Sequence, residues 1–217
     1  MIDGIEVVVD REAVVVTARE PLTVVSSAFV RGGFAAARTI VNLHVPKDLR
    51  EDLADDLLPR FAAARGIAGP WVGLLTSAWT EKAEVAEARE GGLSALAAVT
   101  VGLSNRVAAG ESSVAVWAPS TINAIVVVDG APEPAALVNV VMTVTEVKTA
   151  LLAAAEIRCD DGHVASGTST DAVVIAATGR GPRHRFGGPI SELGWLVARA
   201  ARTALGAGIR RWMDEHR

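Results

Sequence analysis

The chain has 217 residues, 50% of them hydrophobic and 21% charged, with a formal net charge of -4. This balance excludes a disordered chain and fits a globular protein with a substantial core. It supplies no general basic field to attract nucleic acid.

The opening Met1-Ile2-Asp3-Gly4 lacks the basic and apolar segments of a signal peptide. Ile5 to Val9 and Ala13 to Ala18 are β-branched runs around Asp10-Arg11-Glu12 and predict an antiparallel hairpin. Leu22 to Ser27 predicts a third strand after Pro21, and Arg31-Gly32-Gly33 predicts a turn. Thr39 to Val45 predicts a strand closed by Pro46, with Asn42 and His44 on one face. Leu49, Leu53, Leu57 and Phe61 give Lys47 to Ala64 the spacing of an amphipathic helix. Trp71 to Leu75 predicts a strand that runs into the polar loop Thr76 to Thr80. Glu81 to Glu90 fits either a helix or a polar edge strand, broken by Gly91-Gly92. Leu93 to Leu103, Val114 to Trp117 and Thr121 to Val128 predict strands, with a polar turn at Gly102 to Arg106.

Pro134 to Ile157 predicts a helix that is apolar on most sides, as a buried helix is. No uninterrupted apolar run reaches the roughly 20 residues of a membrane span, so no membrane association is expected. Cys159 is the single cysteine. It permits no internal disulfide and no zinc-ligand spacing, in keeping with a cytoplasmic setting. Gly167-Thr168-Ser169-Thr170-Asp171 is a polar turn entering an apolar strand from Ala172 to Ala177. A loop rich in Gly and Arg follows, and the pattern is helical from Pro189 onward, with Arg210, Arg211, His216 and Arg217 in its last turns. No linker or composition break divides residues 1–217, which predicts one domain. Strands first and a mixed second half predict an α+β fold, a mixed sheet with packed helices, with doubly wound α/β as the alternative.

The sequence contains no Walker loop, dinucleotide fingerprint, zinc-protease helix or Gly-x-Ser-x-Gly elbow. Its candidates for chemistry are single residues. His44 is an acid–base group by its intrinsic titration, or a cap at a strand end. Glu146 is either a desolvated general base on an apolar helix or part of a solvent stripe with Asn139, Thr143 and Thr149. The Gly167 to Asp171 turn offers hydroxyls and backbone N–H groups for a reaction, or simply satisfies its own backbone. Ser26, Ser27 and Asn123 at strand ends are open to both readings. Among the tryptophans, Trp71, Trp117, Trp195 and Trp212 suit core packing, while Trp79 lies in a polar loop. His163, His184 and His216 read as solvated.

Taken in order, several segments resemble the adenosylcobinamide amidohydrolase family. They are Ser26-Ser27-Ala28 with Gly32-Gly33, Asn42-Leu43-His44-Val45-Pro46, Gly102-Leu103-Ser104-Asn105, Thr121-Ile122-Asn123, Thr145-Glu146-Val147-Lys148-Thr149-Ala150 and Gly167-Thr168-Ser169-Thr170-Asp171. The resemblance implies hydrolysis of the amide joining aminopropanol to the corrin side chain of adenosylcobinamide, yielding adenosylcobyric acid and 1-amino-2-propanol. The corrinoid is then the substrate and no further cofactor is expected. Two assignments follow. In one, Glu146 activates water, His44 protonates the amine, and Asn42 or Asn123 holds the carbonyl oxygen. In the other, Thr168 or Thr170 is the nucleophile, assisted by Asp171 or His44. A metal held by His44, Glu146 and Asp171 is a third route. Ser27, Asn42, Asn123, Thr168, Thr170 and Trp79 are the expected substrate contacts. A corrinoid-binding protein without turnover is the rival reading, and the apolar composition is compatible with a homodimer.

Overall fold

A computed structural model describes residues 1–114 and 121–216. The strand expected around Val114 to Trp117, Trp117 itself and the terminal Arg217 lie outside the described residues beyond Val114. In chain order the elements are β1 (Ile5–Val9), β2 (Ala13–Ser26), β3 (Gly33–His44), α1 (Glu51–Ala64), β4 (Trp71–Thr76), β5 (Glu84–Glu90), β6 (Leu93–Val101) and β7 (Arg106–Val107). They continue as β8 (Ile122–Asp129), β9 (Ala131–Pro132), α2 (Pro134–Ala154), β10 (Gly167–Thr168), β11 (Ala172–Ala177), β12 (Arg183–His184) and α3 (Glu192–Glu215). Eight strands make one mixed sheet in the order β4-β3-β2-β11-β8-β6-β5, with β1 also paired to β2. The fold is α+β.

The predicted break at Pro21 is instead a register shift inside one long strand. β2 pairs with β3 on both sides of a bulge between Thr17 and Leu22. Its other edge is shared by β1, which covers Val14 to Ala18, and β11, which covers Thr23 to Ser26. Pro21 falls between these two partners, where its missing N–H leaves no ladder bond unmade. α1 starts at Glu51 rather than Lys47, because a turn closed by Leu49 N–H on the Pro46 carbonyl precedes it. Glu84–Glu90 is the polar edge strand; charges on an exposed edge discourage pairing with other chains.

Strand alternation sorts the apolar side chains into three layers. Val14, Val16, Leu22, Ile40, Val72 and Leu74 share one core with Leu96, Ala98, Ile125, Val127 and Val174. Val41 and Leu43 pack under α1, against its Leu58. Ala97, Val99, Val126 and Ile175 pack under α2 and α3. The first of these cores joins strands far apart in the sheet order. β4 and β8 have three strands between them, yet the Asn123 side chain reaches the Leu75 carbonyl. The sheet therefore coils until its two halves face each other, with α1 outside one half and α2 and α3 outside the other.

α2 has the length and apolar composition of a membrane span, with 39% of its most apolar window buried. Its Ala136, Leu137, Val140, Thr143, Val144 and Val147 are buried, in the layer it shares with α3. α3 is capped by Ser191, whose hydroxyl accepts from Gly194 N–H. A Cβ at Gly194 would lie 2.0 Å from the Gly188 carbonyl oxygen and 2.4 Å from that of Gly187. Backbone cannot yield as a side chain does, so Gly194→Ala should destabilise by about 3 kcal/mol. A lower urea midpoint at unchanged slope would show it.

Candidate active site

Alternation also places the polar residues. Asn42, Thr76, Thr100 and Asn123 share parity with Ile40, Leu74, Ala98 and Ile125, so all four point between the sheet halves. They form a polar end to that apolar layer, each no more than 1% exposed. Asn42 donates to Thr100 Oγ1 at 3.0 Å. Asn123 donates to Asn42 Oδ1 at 2.8 Å and to the Leu75 carbonyl at 2.9 Å. Thr121 Oγ1 lies 2.7 Å from the Thr170 carbonyl and 3.1 Å from Asn123 Oδ1. The network thus runs from β6 through β3 and β8 to the turn before β11.

That turn carries Asp171, and everything around it is arranged for one carboxylate. Oδ1 accepts from Ile122 N–H at 2.9 Å and from the Thr168 hydroxyl. Oδ2 accepts from Thr168 N–H at 3.0 Å and from Lys148 Nζ. An ionised carboxylate has about four acceptor sites, and these donors fill them. The side chains of Lys148 and Asp171 are only 12% and 11% exposed, so this is an inner ion pair. Gly167 makes room for it. A Cβ there would lie 2.3 Å from Asp171 Oδ2 and 2.6 Å from Lys148 Nζ.

Neighbouring segments close around the pair. Gly167 and Thr168 pair with Val107 and Arg106, and Asn105 Nδ2 donates to Ser169 Oγ at 2.6 Å. Thr149 Oγ1 donates to the Ser166 carbonyl at 3.0 Å. Ser27 joins β2 to β11, its hydroxyl accepting from Val173 N–H at 3.0 Å. His44, two residues beyond Asn42 on the same face, sits at the rim. Its Nδ1 lies 3.1 Å from the Ala78 carbonyl. A carbonyl only accepts, so Nδ1 carries hydrogen and Nε2 is the atom left to exchange a proton. Trp79, 57% exposed, stacks on the imidazole at 4.8 Å. A cleft of about 90 Å³ opens beside them, lined by Lys47, Ser77, Trp79, Ser104, Arg211 and Trp212 among others.

Most of the residues singled out from the sequence thus lie at this one end: Asn42, His44, Trp79, Asn123, Thr168, Thr170, Asp171 and, through Val173, Ser27. Three expectations need correction. Glu146 is not a desolvated base; it is exposed on the outer side of α2. Lys148 faces Asp171, and a residue two positions away on a helix lies about 200° around the axis. Asn42 and Asn123 are buried and bonded to each other, so they brace the site instead of presenting amides to a substrate. Among the described residues no three His, Cys, Asp or Glu side chains come together, so His44, Glu146 and Asp171 do not form a ligand set. The predicted stripe on α2 also divides. Thr143 is buried and donates to the Gly187 carbonyl at 3.1 Å.

Lys148, Thr100 and Thr121 were missed. Lys148 was as visible as Glu146, a lone charge on an apolar helix, but helix rotation decides which of the two turns inward. Breaking a buried pair costs more than replacing both members. Lys148→Met should destabilise by about 3 kcal/mol, and Lys148→Met with Asp171→Leu should recover part of that loss; a double-mutant cycle in urea measures the coupling.

A model of the adenosylcobinamide amidohydrolase family matches residues 1–217. No curated protein matches the chain in sequence. Among solved structures, a Pyrococcus horikoshii protein is similar at TM-score 0.49 and 13% identity, over 95% of this chain and 83% of that one. A Burkholderia sp. β-aminopeptidase is similar at 0.46 and 14%, over 93% and 78%. The L-aminopeptidase D-Ala-esterase/amidase of Ochrobactrum anthropi, described as a variant of the Ntn hydrolase fold, is similar at 0.42 and 10%, over 95% and 83%. On the match along its whole length, the chain belongs to the adenosylcobinamide amidohydrolase family, and is a hydrolase acting on amides.

Proposed function

We propose that this protein hydrolyses the aminopropanol amide of adenosylcobinamide, releasing adenosylcobyric acid and 1-amino-2-propanol, and that Thr168 is its nucleophile. The observation that carries the assignment is the Thr168 hydroxyl bonded to Asp171, with Lys148 on the other carboxylate oxygen. A hydroxyl attacks an amide only if a base takes its proton. Here the proton already lies on the bond to Oδ1. As Thr168 Oγ bonds to the carbonyl carbon, that proton passes to Asp171. The Lys148 ammonium supplies positive charge for the oxyanion, in surroundings where charge is little screened. When the C–N bond breaks, the proton goes on to the amine nitrogen. Water then attacks the Thr168 ester, returns a proton to Oγ and frees the acid. His44 and Trp79 form the wall that meets the corrinoid.

One observation favours a binding protein without turnover. The acceptor sites of Asp171 are all taken by protein donors, which suits a purely structural hub as well as a base. Incubation with adenosylcobinamide, followed by mass spectrometry, separates the two. Both products should appear with the purified protein, whereas bound but unaltered corrinoid would establish the binding reading.

Variants test the residues. Thr168→Val should lower kcat by at least about 100-fold while corrinoid binding persists. Glu146→Gln should keep activity within about twofold, as expected of a residue on the solvent face; loss of turnover there would restore Glu146 as the base. His44→Ala should raise KM more than it lowers kcat, the pattern of lost substrate binding.

A further inference from the structure

Beyond α2 the sheet has an open outer face. α2 and α3 pack over β11, β8, β6 and β5. Residues 23–27 of β2 and 33–37 of β3 continue the sheet past them. We propose, on the reading of this protein as a corrinoid amidohydrolase, that this face is the shelf on which the flat macrocycle of the substrate lies, with Phe34 as its main contact.

Strand alternation fixes what the shelf presents. Leu22, Val24 and Ala37 point inward, to the core between the sheet halves. Thr23, Val25 and Ser27 therefore point outward. So do their cross-strand neighbours, Phe34 beside Val25 and Ala36 beside Thr23. Val25 packs at the margin of the layer under α2 and α3, as an outward residue must. The other four are exposed. A solvated sheet face is ordinarily polar. This one carries no charge, and Phe34 is 58% exposed. Its remaining side chains are small, so the surface is flat. A broad planar group can lie across both strands and bury the Phe34 ring. A charged ligand finds nothing there but two hydroxyls.

The face leads into the site. Asp171 and Val173 are two residues apart and share one side of the chain, the outer side from which Lys148 of α2 reaches Asp171. Ser27 N–H donates to the Val173 carbonyl and Val173 N–H donates to Ser27 Oγ, each at 3.0 Å. Strand rise and spacing put Ser27 about 8 Å from Asp171 and Phe34 about 16 Å from it. The reacting amide hangs on a side chain at the edge of the macrocycle. A ring lying over Val25 and Phe34 directs that side chain past Ser27 to Thr168, and His44 and Trp79 then meet the aminopropanol end. The turn between β2 and β3 is pinned on its far side as well, because Val30 and Gly73 exchange N–H···O bonds at 2.9 and 3.1 Å. The shelf is thus formed before the ligand arrives, which lowers the cost of binding.

Affinity and turnover test the shelf separately. Calorimetry with adenosylcobinamide on Thr168→Val protein gives the affinity, and kinetics on protein with Thr168 intact give KM and kcat. Phe34→Ala and Ala36→Glu should each weaken binding at least about tenfold. They should raise KM to match while kcat stays within about twofold. Phe34→Tyr should keep most of the affinity. Phe186→Ala removes another exposed ring, beside the start of α2, and should change neither quantity. Unchanged melting temperatures would show that the variants fold. Affinity and KM indifferent to both shelf substitutions would overturn the shelf and leave the reaction standing. Binding that depends on Phe34 without turnover would support the shelf and overturn the reaction. No corrinoid binding with or without Thr168 would overturn both. Sedimentation velocity covers another occupant. A dimer that Ala36→Glu dissociates, with corrinoid affinity unchanged, would assign the face to a second copy of this chain and overturn the proposal.

Discussion

One carboxylate holds together the end of this molecule where the candidate site lies. Asp171 sits where a polar turn becomes a buried strand, and its two oxygens take donors from three parts of the chain. Ile122 N–H comes from the start of β8, Lys148 from α2, and the hydroxyl and N–H of Thr168 from the turn itself. Burying a charge is costly unless it is paired and fully hydrogen-bonded. That requirement explains the neighbours. Gly167 is glycine because the ion pair occupies the space of a side chain. Thr168 donates its hydroxyl proton to the carboxylate, the contact on which its proposed role as nucleophile rests.

The coiled sheet supplies the setting. Apolar side chains fill the space between its halves, and the layer ends in Asn42, Thr76, Thr100 and Asn123. An unpaired amide there would be expensive, so the two asparagines bond to each other, to Thr100 and to a carbonyl of β4. This network ties both halves of the sandwich to the turn that carries Asp171. The rim is built differently. His44 and Trp79 stack in a partly exposed position, open to a large ligand.

Much of the fold was legible from the chain alone. Apolar and β-branched runs gave β1, β4, β8 and β11 close to their observed limits, and helical patterning gave the three helices. Pro21 misled, because a proline inside a strand is tolerated only where the partner edge is vacant, and sequence does not show which edge is vacant. Glu81 to Glu90 stayed ambiguous because its charges satisfy a solvent-facing helix and an exposed edge equally well. At the site, the turn from Gly167 to Asp171 and the pair Asn42 and His44 stood out by composition. Their roles did not. Asn42 and Asn123 read as ligands until burial showed them bonded to each other.

The sequence by itself determined the local geometry, since spacing of apolar residues, prolines and glycines acts within a few residues. It placed Asp171 on a turn, Lys148 and Glu146 on a helix, and the asparagines on strands. Tertiary structure alone decided which of these meet. Glu146 and Lys148 differ by about 200° around one helix axis, and only the packing of α2 against the sheet turns Lys148 toward Asp171 and Glu146 toward solvent. Asn42 and Asn123 lie 81 residues apart, and only the coiling of the sheet brings them into contact. Long-range pairing of this kind depends on the free energy of the whole fold, which no local pattern encodes.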